Sequence, residues 1–214
     1  SQKLFFSEDY DCKKNVNGFI YEDKLGKMDL PLPNLLGDFQ INNVSTAIVT
    51  VRSLKNFKVS ETQIKKAITK IKSEGRLQKI DQGKLRRYVF KNNQILIDGA
   101  HNTLAASEVE KYLGTLDKKK KIVMLIGMMA NKEHKEFINI FKNKIHSMIA
   151  LDIPNQTNFI GKEKLSEIGK SCGIPSRTEN SIQSAFESIS KEHDDAIIFC
   201  TGSLYFAGEI LNLN

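Results

Sequence analysis

The strongest periodic signal lies in the last two thirds of the chain, where short apolar runs alternate with stretches whose apolar residues recur every three or four positions. Residues 95–97 (Ile-Leu-Ile) and 122–126 (Ile-Val-Met-Leu-Ile) carry no polar interruption, the pattern of parallel strands buried on both faces. Residues 146–153 and 196–200 are the next and the last strands in order. Between and after them the spacing predicts helices. One follows the turn at 98–102, with Leu104, Val109, Tyr112 and Leu113 broadly on one side. Others cover 133–143 (Phe137, Ile140, Phe141 apolar), 162–171, 181–191 and 203–211. Strand-helix alternation predicts a mainly parallel sheet with crossover helices.

The first third reads differently. Residues 3–6, 19–22 and 28–32 are short strand candidates, with turns at Asn17-Gly18 and Leu25-Gly26-Lys27, and Pro31 and Pro33 end the pattern. A helix is then predicted within 36–55, started by Gly37 and Asp38, with Ile41, Val44, Ala47, Ile48 and Val51 at helical spacing. Its β-branched residues lower helix propensity, so burial must stabilise it. A second helix is predicted over 60–71, where Ser60 is a candidate N-cap, Gln63 completes a capping box, and Ile64, Ala67, Ile68 and Ile71 form the stripe. The change of pattern near 72–75 divides the chain into a first domain, 1–72, and a Rossmann-like domain, 73–214.

Composition adds limits. At 214 residues and 40% hydrophobic content, the chain is an ordinary globular sequence of one or two domains. It has no run of eighteen apolar residues and no signal-peptide pattern, and it lacks an initiator Met, as a processed chain or a piece of a longer gene product would. Cys12, Cys172 and Cys200 are odd in number and form no CxxC pair, which points to reduced thiols in the cytoplasm. The net charge of +7 is spread along the chain, dense only at 118–121, and is not interleaved with aromatics. That argues against nucleic acid and leaves a basic face that attracts anionic ligands.

Candidate chemistry concentrates at the turn Asp98-Gly99-Ala100-His101-Asn102, between a strand and a helix. Such turns face ligands at the carboxyl edge of an open α/β sheet. Asp98 can accept from ribose hydroxyls, or form an Asx-turn or N-cap. His101 can stack on a base, bond a phosphate, or be structural. Asn102 reads as the cap of the next helix, and Gly99 and Ala100 permit close approach to the backbone. Arg76, in Gly75-Arg76-Leu77-Gln78 at the domain junction, can reach a ligand or simply lie at the surface. Asn43 is a polar residue among apolar helix neighbours and needs a partner if buried. Lys132 can meet a phosphate or start a helix, and Gly202-Ser203 can bind an anion or form a plain turn. No GxGxxG is present, so a dinucleotide is not indicated.

Five stretches in order, LPLPNLLGDFQINNVSTAI, GRLQKI, ILIDGAHNTLAA, LIGMMANKEHKEF and IFCTGSLYFAGEIL, resemble the C-terminal part of the folylpolyglutamate synthase and dihydrofolate synthase family, a branch of the Mur ligase superfamily. The resemblance spans nearly the whole chain. It implies an α/β fold of Mur ligase C-terminal type preceded by the truncated end of a central ATPase domain. It also implies a cytoplasmic, monomeric ATP-dependent ligase that joins L-glutamate to dihydropteroate or a reduced folate through an acyl phosphate. By the same resemblance, Asn43, Arg76 and Asp98 contact ATP and His101 lies close to it, with the nucleotide between the central and C-terminal domains. Phe39 stands where relatives often have His, and Thr103 where many have Pro. No G-x-x-x-x-G-K-[ST] occurs. The phosphate cradle and the Mg²⁺ ligands are therefore expected upstream, with no catalytic or metal residue in this chain and no ligase activity from it alone. A peptidoglycan-precursor Mur ligase and a non-catalytic nucleotide-binding module are the competing readings.

Overall fold

A computed structural model describes residues 3–214, which form two compact units, one ending at Ser73 and one running from Glu74 to Asn214.

The first unit is a three-stranded antiparallel sheet, β1 (Tyr10–Lys14), β2 (Gly18–Asp23) and β3 (Gly26–Pro31), with helices α1 (Phe39–Arg52) and α2 (Glu61–Ile68). Strand alternation sends Phe19, Tyr21, Met28 and Leu30 inward, where they meet Ile41, Val44, Ile48, Ile64 and Ile68. The predicted strand at 3–6 is not formed; the first strand is β1 instead. Phe5 and Phe6 are exposed, and the chain doubles back at Ser7 (φ 67), so that Phe6 makes only an isolated bridge to Tyr10. The buried stripe of α1 is Ile41, Val44, Ser45, Ile48 and Val49, and Ala47 of the expected stripe faces outward. The Ser60–Gln63 capping box at the start of α2 is present.

The second unit is a six-stranded sheet in the order β4-β5-β9-β6-β7-β8. Its strands are β4 (Gln78–Lys79), β5 (Gln94–Ile97), β6 (Ile122–Ile126), β7 (Ser147–Ala150), β8 (Ser176–Thr178) and β9 (Ile197–Thr201). All neighbours pair in parallel except β4, which runs antiparallel to β5. The helices are α3 (Thr103–Leu113), α4 (His134–Ile140), α5 (Lys162–Ser171), α6 (Ile182–Glu192) and α7 (Leu204–Asn212). Alternate residues serve the two faces. Ile95, Ile97, Val123, Leu125, Ile198 and Cys200 pack against Phe186 and Ile189 of α6 and Phe206 and Ile210 of α7. Leu96, Met124, Met148 and Phe199 are buried on the other face, where Phe199 meets Phe141 just after α4 at a centroid distance of 5.6 Å. Two strands, β4 and β8, and a 3₁₀ turn at Lys84–Tyr88 were not expected from the pattern.

Candidate functional site

The order of strands fixes where a ligand fits. From β5 the chain enters α3 and passes over β9 to reach β6; from β9 it enters α7, on the opposite face. The crevice at the carboxyl ends of β5 and β9 is thus a topological switch point. Four segments meet there: Gly75–Leu77 before β4, Asp98–Asn102 after β5, Gly127 after β6, and Gly202-Ser203 after β9. Backbone bonds tie them together: Asp98 N–H to Cys200 O at 2.9 Å, Gly202 N–H to Ala100 O at 3.0 Å, and Gly127 N–H to Thr201 O at 3.3 Å.

Asp98 is only 3% exposed. Its Oδ1 accepts from the Ala100 N–H at 2.8 Å, an Asx-type turn, and its Oδ2 accepts from the Leu77 N–H at 2.8 Å. The second bond joins residues far apart in sequence and brings Arg76 beside the strand end. The loop carrying Arg76 is pinned on both sides. The Gly75 carbonyl accepts from the Gly99 N–H at 2.8 Å, and Gln78 Oε1 accepts from the Gly75 N–H at 2.9 Å. Gly75 (φ 63) and Leu77 (φ 45) both take left-handed backbone, which is strained for Leu. The buried Leu77 side chain, 1% exposed, holds that conformation in place. Arg76, between them, is exposed.

Burial pushes the Asp98 carboxyl above its ordinary range, although the Leu77 and Ala100 N–H groups and the charges of Arg76 and His101 pull it back. Half-buried His101 lies 3.1 Å from the Gly99 carbonyl through Nδ1. A carbonyl only accepts, so Nδ1 carries the proton and Nε2 is left for a ligand.

Arg76, Asp98 and His101 are therefore brought together. Asn43 stands in the first unit, exposed on α1, and donates through Nδ2 to Gln40 Oε1 at 3.0 Å. Asn102 is the cap of α3, its Oδ1 accepting from the Ala105 N–H at 2.8 Å. Ser203 caps α7, accepting from the Tyr205 N–H at 3.1 Å. Lys132 is half-buried just ahead of α4. The space beside Gly99 is filled by Leu204, against which any Cβ at that position would collide. The close approach that Gly99 permits is thus taken by the protein's own side chain. Sequence reading missed the Leu77 amide and Leu204; no periodicity links residue 77 to 98, and only the glycines signalled tight packing. Farther along the same edge, a cavity of about 210 Å³ is lined by Asp152, Pro154, Lys162, Glu179 and Asn180.

An exposed arginine, an imidazole nitrogen and a carboxylate with remaining lone pairs sit at one strand edge. The hydroxyl of Thr201, fully buried at the end of β9, has no partner in the structure. Among the described residues no group of three or more His, Cys, Asp or Glu side chains is placed to hold a metal ion, and no helix is long and apolar enough to cross a membrane.

The second unit is thus a mixed α/β domain with a mostly parallel sheet and a candidate site at its strand ends, and comparison with known proteins gives its family. Residues 78–213 match the family model described as dihydrofolate synthetase, C-terminal domain. The chain belongs to the folylpolyglutamate synthase and dihydrofolate synthase family and corresponds to its C-terminal portion. It is 26% identical over 219 residues to a folylpolyglutamate synthase of Lacticaseibacillus casei, covering 98% of this chain and 47% of that protein. The chain thus spans about half the length of the curated relative it matches. Its fold is similar to that of Escherichia coli FolC solved with DHPP and ADP (TM-score 0.80, 18% identity, 97% of this chain and 46% of that one). It is likewise similar to the bifunctional folylpolyglutamate synthase/dihydrofolate synthase of Yersinia pestis solved with AMPPNP and a Mn ion (TM-score 0.75, 15% identity, 97% and 46%).

Proposed function

We propose that this chain is the C-terminal part of an ATP-dependent ligase that adds L-glutamate to dihydropteroate or a reduced folate. In this reading the crevice at β5 and β9 holds the nucleoside end of ATP. The observation that carries it is the joining of Arg76 to Asp98 through the Leu77 amide, at the position where open α/β sheets take ligands. Arg76 supplies a permanent positive charge and a planar donor face, His101 offers Nε2, and Asp98 adds negative charge near the sugar position. Asn43 is a further proposed nucleotide contact, on the strength of its sequence motif alone. In the parent enzyme ATP and Mg²⁺ supply the phosphoryl group that activates the substrate carboxylate. The proposed parent is a cytoplasmic monomer. Without a G-x-x-x-x-G-K-[ST] run, the 214-residue chain by itself binds nucleotide and turns over none.

The test is calorimetric titration of this chain with ADP. Binding should be measurable, and Arg76→Ala should weaken it about ten-fold, as loss of a charge-assisted contact does, with little change in melting temperature. Absence of ADP binding, or an Arg76→Ala variant that binds as well as the parent chain, overturns the assignment. ADP release that depends on folate and glutamate, from this chain alone, overturns the inactivity.

A further inference from the structure

Asp98 and Arg76 are more closely related than two residues at one site need be. Both Asp98 oxygens already accept backbone N–H groups, one from its own turn and one from the residue after Arg76. Asp98 is almost wholly enclosed, whereas Arg76 is an exposed residue. Leu77 is held at φ 45, a backbone state that a leucine leaves unless something fixes it. Its N–H bond to Asp98 and its buried side chain are what fix it. Gly75 is anchored separately, to Gly99 and to Gln78. Arg76 is thus the apex of a strained loop whose descending limb is fastened at Leu77 by one carboxylate and one buried side chain, and beyond it by the pairing of β4 with β5.

We propose that Asp98 is the positioning residue for Arg76: through the Leu77 amide it holds the Gly75–Gln78 loop in the shape that presents the guanidinium to the ligand. This rests on the reading of the crevice as a nucleotide site and assigns Asp98 a part in it distinct from direct contact. A carboxylate suits this task better than an amide. Asn retains an acceptor for one N–H but turns an N–H₂ group toward the other. In Asp98→Asn the loop is released at Leu77, the strained φ relaxes, and Arg76 is no longer held over the strand end.

The experiment has two arms, both on the 214-residue chain. In the first, amide hydrogen exchange is compared between the parent chain and Asp98→Asn. Exchange at Leu77 should rise on the order of ten-fold or more, as expected when a buried charged hydrogen bond is lost, while amides of β6 and β9 keep their protection. In the second, ADP affinity is measured for Asp98→Asn, Arg76→Ala and the double variant. Asp98→Asn alone should weaken ADP about as much as Arg76→Ala, near ten-fold, and should add less than about two-fold when Arg76 is already gone. A merely structural role would lower the melting temperature without producing that coupling. Unchanged exchange at Leu77, or losses that multiply in the double variant, overturn the proposal, the second by showing that Asp98 meets the ligand on its own account. If the parent chain binds no ADP, the nucleotide reading fails and the exchange arm alone decides the tether. Should Asp98→Asn not fold, Gln78→Ala replaces it. Loosening the Gly75 limb, which keeps its bond to Gly99, should leave Leu77 protected, and exposure of Leu77 in that variant overturns the proposal.

Discussion

Arg52, the last residue of α1, grips Asp23, the last residue of β2, through two nearly parallel hydrogen bonds, Nε to Oδ2 at 2.7 Å and Nη2 to Oδ1 at 3.1 Å. Their side chains are only 14% and 5% exposed. This fork fastens helix to sheet in the first unit, and Tyr21 adds its hydroxyl to the same carboxylate at 2.9 Å. Removing one partner strands a buried charge, so Arg52→Ala should destabilise that unit by about 3 kcal/mol. Arg52→Lys should recover less than half of this, because an ammonium cannot reproduce the fork. Urea denaturation followed by tyrosine fluorescence checks both.

The two buried carboxylates respond to acid in opposite senses. Burial pushes Asp23 up, but the bonds from Arg52, the Leu25 N–H and Tyr21 outweigh it, so its folded pKa lies below the ordinary value of 3.8. Its contribution is complete above that value and lost as pH falls through the depressed one. The stability gap between the parent chain and Asp23→Asn should therefore close on acidification. Asp98 is shifted up from 3.8, chiefly by burial. Its contribution is complete below 3.8 and declines as pH rises through the raised value. The gap between the parent chain and Asp98→Asn should move in the parent's favour as pH falls. Denaturation midpoints measured between roughly pH 3 and 7 separate the two, and parallel trends would contradict the assignment.

Gly202 and Gly208 provide a matched pair. Gly202 has φ 105, and a Cβ there would lie 2.8 Å from the Gly127 carbonyl oxygen and 2.8 Å from Met128 Cγ. Gly202→Ala should cost about 2–4 kcal/mol through backbone strain and overpacking. Gly208 sits inside α7 with open space around its missing Cβ. Gly208→Ala should stabilise by about 0.5–1 kcal/mol through helix propensity. Thermal melts of the two variants should move in opposite directions.

Thiol reactivity follows enclosure. Cys200 is fully buried in the middle strand, and burial pushes its thiol far above the ordinary range. Cys172 is buried beyond α5, while Cys12 is half-buried on β1, its Sγ 3.2 Å from Asn42 Oδ1. Maleimide should therefore label the native chain at Cys12 alone, and all three cysteines only after denaturation. Mass spectrometry of the labelled chain gives the answer directly.

The parts of this molecule legible in its sequence are those written in local periodicity. The unbroken apolar runs of β5, β6 and β9 declared strands enclosed on both sides, and Ser60 with Gln63 declared a helix start that the structure forms. What escaped is held by partners distant along the chain. Ser176–Thr178 is too short and polar to announce itself, and becomes β8 because β7 offers a free edge. Gln78–Lys79 is a strand only through its pairing with β5. The first strand was misplaced because Phe5 and Phe6 look inward-facing by type, whereas Tyr10 and Cys12 supply the alternation that the sheet uses. At the site, Asp98, His101 and Arg76 were visible as residue types in tight turns. The Leu77 amide that connects two of them was not, since a backbone donor has no sequence signature.

Strand β9 is the final strand of the chain, yet it lies between β5 and β6. Its neighbours on either side are made well before it, and a slot one strand wide must stay open between them until it arrives. During synthesis, then, the second unit cannot close as it emerges from the ribosome, and two apolar strand edges wait unpaired in the meantime. The centre of this sheet is its keystone, set last, so a stop codon shortly before Ile197 would leave a chain with most of its residues and no folded second unit.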